Sequence, residues 1–170
     1  NKSFFGTGLV ANFFGLYYQH GAPGYLGAAA LVSRFFVVSF VAGPMARRVL
    51  EPLPCTLEVD GQTEEPAAWS LICAAVVQNL GIHMLVTYRA AEDPRRPHLV
   101  ASPLPPRDLG PRAPRVLAGR CIGGRNHVDQ LTTTFTVRFP SVGPFVLDGE
   151  LIEASEVTVC AGPTLTIASA

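Results

Sequence analysis

Two acidic residues split by a glycine, Asp148-Gly149-Glu150, are the best-placed candidates for chemistry in this sequence. At i and i+2 across a turn, their carboxylates can project towards one cleft. One can then act directly in acid–base chemistry and the other as a supporting contact. A plainer reading stands beside this one. Asp148 ahead of Gly149 is a turn residue, just as Asp60 is ahead of Gly61, and Glu150 is a solvated strand residue. A second acidic pair, Glu92-Asp93, reads as solvated loop.

The other reactive side chains form no recognisable set. The histidines, His20, His83, His98 and His127, show neither HExxH nor another ligand spacing, so no metal ligand is assigned. The four cysteines, Cys55, Cys73, Cys121 and Cys160, contain no CxxC pair. Cys55, Cys73 and Cys160 lie in apolar, strand-like runs and read as buried free thiols of a reducing compartment. Gly6-Thr7-Gly8 lacks the later glycine of a dinucleotide loop and the Lys-Ser/Thr of a P-loop, so no cofactor-binding residue is assigned either.

Thirteen basic and thirteen acidic side chains cancel, which excludes a nucleic-acid binder relying on a strong global positive field. The basic charge is nonetheless clustered. Between residues 89 and 125, eight arginines face only Glu92, Asp93 and Asp108, with seven prolines interleaved. This stretch reads as an extended loop or interrupted excursion. It either solubilises a charge-poor protein or faces anionic headgroups, where each charge contributes roughly 1 kcal/mol near a membrane. The aromatics Phe4, Phe5, Phe13, Phe14, Tyr17 and Tyr18 either pack in a core or line an acyl pocket.

The elements that must position these residues follow from length and patterning. A chain of 170 residues, 48% hydrophobic and 15% charged, is expected to form one domain, at most two small ones, with a core, and is not disordered over most of its length. Sixteen glycines and fifteen prolines disfavour a helical bundle and suit short strands joined by turns. Residues 3–14 read as a strand interrupted by glycines, and 24–38, with Ala28 to Leu31, as the best helix. Residues 55–60 alternate apolar and polar before Asp60-Gly61, a hairpin signal. The apolar run 69–77 suits a strand buried on both faces, and 83–88 and 130–139 read as further strands. Residues 143–147 lead into Asp148-Gly149, and 156–160 and 164–168 form a hairpin-like pair around a Gly-Pro turn. The expected architecture is mainly β: a two-sheet antiparallel β-sandwich with one N-terminal helix, occupying residues 1–170.

The most apolar stretch, Gly27 to Gly43, is slightly short for a bilayer span and carries Arg34 near its middle. No signal-peptide pattern is visible. A start at Asn1 rather than Met suggests a fragment of a longer protein.

The tail FVLDGELIEASEVTVCAGPTLTI (145–167) resembles the end of the diacylglycerol kinase and sphingosine kinase-like lipid kinases: an apolar strand, DGE, then two short strands split by Gly-Pro. Upstream order agrees. FFGTGLVANFF (4–14) resembles the family's opening strand with paired glycines, GAPGYLGAAALVSRFF (21–36) its Gly-Tyr helix start, CTLEVDGQ (55–62) its first hairpin, and WSLICAAVVQNLG (69–81) the buried strand after it. Two positions depart from the family pattern. Leu9 and Val10 stand where an acidic residue often follows the opening glycines. Pro94 follows Glu92-Asp93 where a glycine would complete a turn that helps hold a structural metal in some relatives.

The resemblance implies that residues 1–170 are the lipid-acceptor β-sandwich, the C-terminal half of a two-domain kinase. Its Gly-Gly-Asp-Gly-Thr-type nucleotide loop would lie in a preceding domain, and no such loop occurs here. It implies transfer of the γ-phosphoryl group of Mg-ATP, bound mainly by that other domain, to a diacylglycerol- or sphingosine-like hydroxyl. Asp148 and Glu150 would act at the active site between the domains. The implied partners are the lipid substrate, the nucleotide-binding domain and a peripheral anionic membrane surface, not nucleic acid, in a cytoplasmic protein. The alternative from another class is a non-catalytic β-sandwich that binds lipid or a protein partner.

Overall fold

The structure, a computed structural model, describes residues 4–19, 51–80 and 85–162. It is mainly β. One curled antiparallel sheet of eight strands is accompanied by a two-stranded sheet and a few helices, giving a sandwich-like fold. The strands are β1 (Phe4–Gly8), β2 (Leu53–Pro54), β3 (Thr56–Val59), β4 (Gln62–Glu64), β5 (Ala68–Trp69), β6 (Leu71–Ala75), β7 (His98–Ser102), β8 (Val128–Leu131), β9 (Thr134–Leu147) and β10 (Glu150–Cys160). The large sheet runs β4-β3-β9-β1-β6-β7-β8, with β10 also paired to β9, and β2 pairs β5.

The curl is carried by β9. Its first half pairs β3 (Leu57 opposite Val137) and its second half pairs β1 (Gly6 opposite Val146). Pro140 and Pro144 lie between the two halves and bring no N–H to a ladder. β10 follows β9 along most of its length, with a register shift between Ala154 and Glu156. The bend brings Phe135 and Phe145, from the two ends of β9, against the same ring. Phe5 lies 5.3 Å from Phe135 and 5.8 Å from Phe145, centroid to centroid. Leu57, Trp69, Ile72, Leu99 and Val137 complete this first core.

A second core lies on the other face of β6 and β7, around Leu71, Cys73, Val86, Val100, Leu109 and Ile122. With Ile72 and Ala74 facing one core and Leu71 and Cys73 the other, β6 is buried throughout, as its unbroken apolar run predicts.

Several local expectations are corrected. The opening strand ends at Gly8, and residues 9–14, expected to continue it, belong to helix α1 (Leu9–Gln19). Gly8 has a φ of +65°, and a Cβ there would stand 2.5 Å from the Ser70 carbonyl oxygen. The chain therefore turns off the sheet at this glycine, and the Leu9 N–H donates to that same oxygen at 2.8 Å. An apolar run this continuous carries no period that separates helix from strand.

Residues 85–88, expected in a strand, form a turn entering a 3₁₀ turn at Tyr88–Ala91. The arginine-rich segment is more regular than expected. It contains the wholly buried strand β7, short helices α2 (Pro106–Leu109) and α3 (Ala113–Leu117), and a 3₁₀ turn between them. Cys160 is exposed, not buried as its run suggested, because β10 turns that face outward; Cys55 and Cys73 are buried. The helix expected over 24–38, the apolar stretch 27–43 and the strand over 164–168 lie outside the described residues. Among the described residues, no helix is long and apolar enough to cross a membrane.

Candidate functional site

Asp148 and Gly149 are the two central residues of the tight turn joining β9 to β10, flanked by the pair Leu147–Glu150. Their φ values are +48° and +90°. A two-residue hairpin with both central residues at positive φ matches the right-handed twist of its strands, and Asp-Gly is among the sequences that adopt it most readily. The turn is anchored at its side. The Asp148 N–H donates to the Phe4 carbonyl at 3.0 Å, and the Phe4 N–H donates to Asp148 Oδ1 at 2.8 Å. The first residue of β1 is thereby clamped to the β9–β10 turn.

Helix α1 approaches the same turn. The Tyr18 hydroxyl donates to the Gly149 carbonyl at 2.5 Å, and a Cβ at Gly149 would touch the Phe14 ring at 3.9 Å. Phe14 packs against Phe13 and Tyr18, with centroids 5.8 and 6.2 Å apart. Asp148, Glu150 and Tyr18 are exposed, and Phe13 and Phe14 half-buried. Topology thus unites an exposed carboxylate pair, the start of β1 and the aromatic flank of α1. Of the aromatics singled out in the sequence, Phe5 belongs to the first core and Phe4 packs against the second, while the side chain of Tyr17 lies outside the described residues.

The turn at Asp60 and Gly61 is built the same way, with φ values of +47° and +84°. Asp60 Oδ1 accepts the N–H groups of Thr133 and Thr134, both at 3.0 Å. Burial pushes this carboxyl up, but those backbone bonds, with the Thr132 and Thr133 hydroxyls, outweigh it and hold it below the usual carboxylate range.

Glu92 is held by Arg89 through both carboxylate oxygens at 3.0 and 3.1 Å, and Asp93 Oδ1 accepts the Arg95 N–H. Three of the clustered arginines tie the excursion to the sheet or close it on itself. Arg89 donates to the Asp129 carbonyl, Arg96 to that of Leu131 and Arg112 to that of Ile122. Arg95, Arg107, Arg115, Arg120 and Arg125 are exposed.

The start of α1 does not fit a phosphate. Gly8 is pressed on Ser70 and the Leu9 amide is already bonded there.

A buried polar network escaped sequence reasoning. His98 in β7 is fully buried, and its Nε2 lies 2.8 Å from Asp129 Oδ1 in β8. Its Nδ1 accepts the Arg89 N–H at 3.3 Å, which leaves the proton on Nε2 facing the carboxylate. The Tyr88 hydroxyl donates to Asp129 Oδ2 at 3.0 Å. Burial pushes the Asp129 carboxyl up, but the groups around it, His127, His98, Cys121 and Tyr88, outweigh this and hold it far below the usual range. Burial and the neighbouring carboxylate both push the Tyr88 phenol up. The available signal was His127-Val128-Asp129 six residues after Cys121, but nothing in the sequence brings His98 and Tyr88 to it.

No protein-family model matches the chain, and no curated protein matches it. Solved structures do. A candidate diacylglycerol kinase from Bacillus anthracis str. Sterne is 11% identical with a TM-score of 0.56, over 94% of this chain and 49% of that one. A second structure described in the same terms, from the same organism, is 14% identical with a TM-score of 0.55, over 94% and 50%. This chain therefore shares its fold with those proteins and spans about half of their length.

Proposed function

We propose that this chain is the lipid-acceptor domain of an ATP-dependent lipid kinase acting on a diacylglycerol- or sphingosine-like hydroxyl. The observation that carries the reading is the exposed Asp148-Gly149-Glu150 turn at the aromatic flank of α1. The fold shared with half of two candidate diacylglycerol kinases supports it.

In such a reaction the lipid oxygen bonds to the γ-phosphorus, the bond to the β–γ bridging oxygen breaks to leave ADP, and the hydroxyl proton must be taken up. Asp148 orients the hydroxyl and accepts that proton, and Glu150 supports it. The Phe4 N–H on Oδ1 fixes the direction of the Asp148 carboxylate. Phe14 and Tyr18 offer an apolar flank for the substrate's hydrocarbon part. No phosphate cradle is present among the described residues, so Mg-ATP is assigned to a separate nucleotide-binding domain, the partner of this one. In this reading the exposed arginines would face anionic headgroups of a peripheral membrane surface in a cytoplasmic protein.

The bond from Phe4 to Asp148 favours a second reading. Asp148 and Asp60 each close a hairpin and each accept backbone N–H groups, so both aspartates can be purely structural in a non-catalytic module that binds lipid or a partner. Transfer of labelled γ-phosphate from ATP to lipid in mixed micelles, by the chain joined to its nucleotide-binding domain, separates the two. Activity that Asp148→Asn lowers at least about a hundredfold supports the kinase. Activity indifferent to that change removes Asp148 from the chemistry.

A further inference from the structure

Cys121, His127 and Asp129 come together where the loop after α3 enters β8. Their Sγ, imidazole nitrogen and carboxylate oxygen all lie within 4.8 Å of one another. The His127 side chain is only 5% exposed, and its Nε2 lies 3.6 Å from Asp129 Oδ2, within ion-pair range but longer than a hydrogen bond. Both ring nitrogens are buried without a hydrogen-bond partner. Buried imidazole nitrogens ordinarily find hydrogen-bond partners, so a buried ring that lies beside a carboxylate and a thiol and hydrogen-bonds neither calls for an explanation. A cation held between the three groups supplies it.

We propose that Cys121, His127 and Asp129 form a binding site for a divalent transition-metal ion of the zinc class, with water completing the coordination. The donor set selects the metal. Thiolate and imidazole suit zinc and its neighbours, whereas calcium and magnesium require oxygen ligands. Zinc bound at about 2.0–2.3 Å to each atom would need the three to stand roughly 3.5 Å apart, so only a small contraction separates the observed set from a tetrahedral arrangement. The loop carrying Cys121 can make it, since residues 118–127 belong to no regular element.

The surroundings resemble the outer shell of a metal centre. A ligating carboxylate is ordinarily oriented by further hydrogen bonds. His98 bonds Asp129 Oδ1 and Tyr88 bonds Oδ2. Each carboxylate oxygen accepts more than one partner, so metal binding at Asp129 leaves both bonds intact. The ion would tie the 121–127 loop to β8 and, through Asp129, to β7 and the 88–91 turn. This site is independent of the reading given to Asp148.

The test uses the full chain, stripped of metal by a chelator and titrated with Co²⁺ and then Zn²⁺. One equivalent of Co²⁺ should bind, with a thiolate-to-cobalt charge-transfer band that Zn²⁺ bleaches, and Zn²⁺ should raise the melting temperature. Cys121→Ser should abolish the band, and His127→Gln should weaken Zn²⁺ binding at least about tenfold, while Cys160→Ser, at the other exposed thiol, changes neither. Melting curves without metal establish that each variant is folded. Absence of saturable one-to-one binding overturns the proposal. So does a band that survives Cys121→Ser, or Zn²⁺ affinity indifferent to His127→Gln.

Discussion

Asp148 and Phe4 exchange two hydrogen bonds across the 144 residues that separate them. The backbone N–H of Asp148 reaches the Phe4 carbonyl at 3.0 Å, and the Phe4 N–H reaches Asp148 Oδ1 at 2.8 Å. Asp60 holds Thr134 in the same way, its N–H donating to the Thr134 carbonyl at 2.9 Å and its Oδ1 accepting the Thr134 N–H at 3.0 Å. Each Asp-Gly turn thus captures the first residue of a strand that enters the sheet beside it. The two aspartates differ in setting. Only the turn at Asp148 has the aromatic flank of α1 against it.

That difference makes the pair a controlled comparison. Asparagine keeps an acceptor oxygen and tolerates positive φ, so Asp60→Asn and Asp148→Asn should both fold and lose little stability. In lipid phosphorylation by the joined two-domain enzyme, Asp60→Asn should stay near wild type. Asp148→Asn should lose at least about a hundredfold in kcat, the low end for a general base. Glu150→Gln should fall between them. Equal activity of the two Asn variants with unchanged melts would leave only the structural role.

The lowered carboxyl of Asp60 has a defined pH signature. A carboxylate whose folded pKa lies below its unfolded value, about 3.9, contributes stability that is fully present above that value. The contribution is lost as pH falls through the folded pKa, because the unfolded chain takes up the proton first. Chemical denaturation should therefore show wild type more stable than Asp60→Asn at pH 7. The gap should narrow below about pH 4. A gap that widens on acidification would contradict the bonds from Thr133 and Thr134.

Gly8→Ala tests the turn from β1 into α1. The added methyl would stand 2.5 Å from the Ser70 carbonyl oxygen, at a φ of +65° that alanine rarely adopts. Positive φ at such a site costs about 1–3 kcal/mol, and the clash adds to it. For a domain of this size each kcal/mol lowers Tm by about 2–4 °C. Gly15→Ala, where a Cβ meets nothing within 4 Å, should show no such loss. Equal melts for the two variants would refute the packing at Ser70.

Thiol titration reads the burial directly. Burial pushes Cys55 and Cys73 up to about 12, so neither supplies thiolate near pH 8. Cys160 and Cys121 are exposed, and burial followed by the neighbouring Asp129 raises the Cys121 thiol as well. In the metal-free folded chain, a disulfide reagent should modify Cys160 fastest and Cys121 more slowly, with the other two reacting only after denaturation. Four rapidly reacting thiols in the folded protein would contradict the two cores.

Local patterning determined much of the fold. Alternation in 55–60 ahead of Asp60-Gly61 specified a hairpin, and the apolar run within 69–77 specified a doubly covered strand, because burial on both faces removes any need for polar alternation, although that strand occupies only Leu71–Ala75 and Val76 and Val77 are exposed. The order of elements around Asp148-Gly149-Glu150 was enough to indicate the shared fold. Tertiary structure decided the rest. Residues 9–14 leave the sheet at Gly8, which is pressed against Ser70, a contact made by residues 62 positions apart that no local pattern encodes. The buried strand β7 was hidden among arginines and prolines, since only pairing with β6 on one side and β8 on the other reveals that its five residues are interior. The same pairing sets His98 beside Asp129, and the loop after α3 returns Cys121 to His127. Side chains that share no spacing rule become neighbours there because sheet register, not sequence distance, determines which carboxylate a buried imidazole meets.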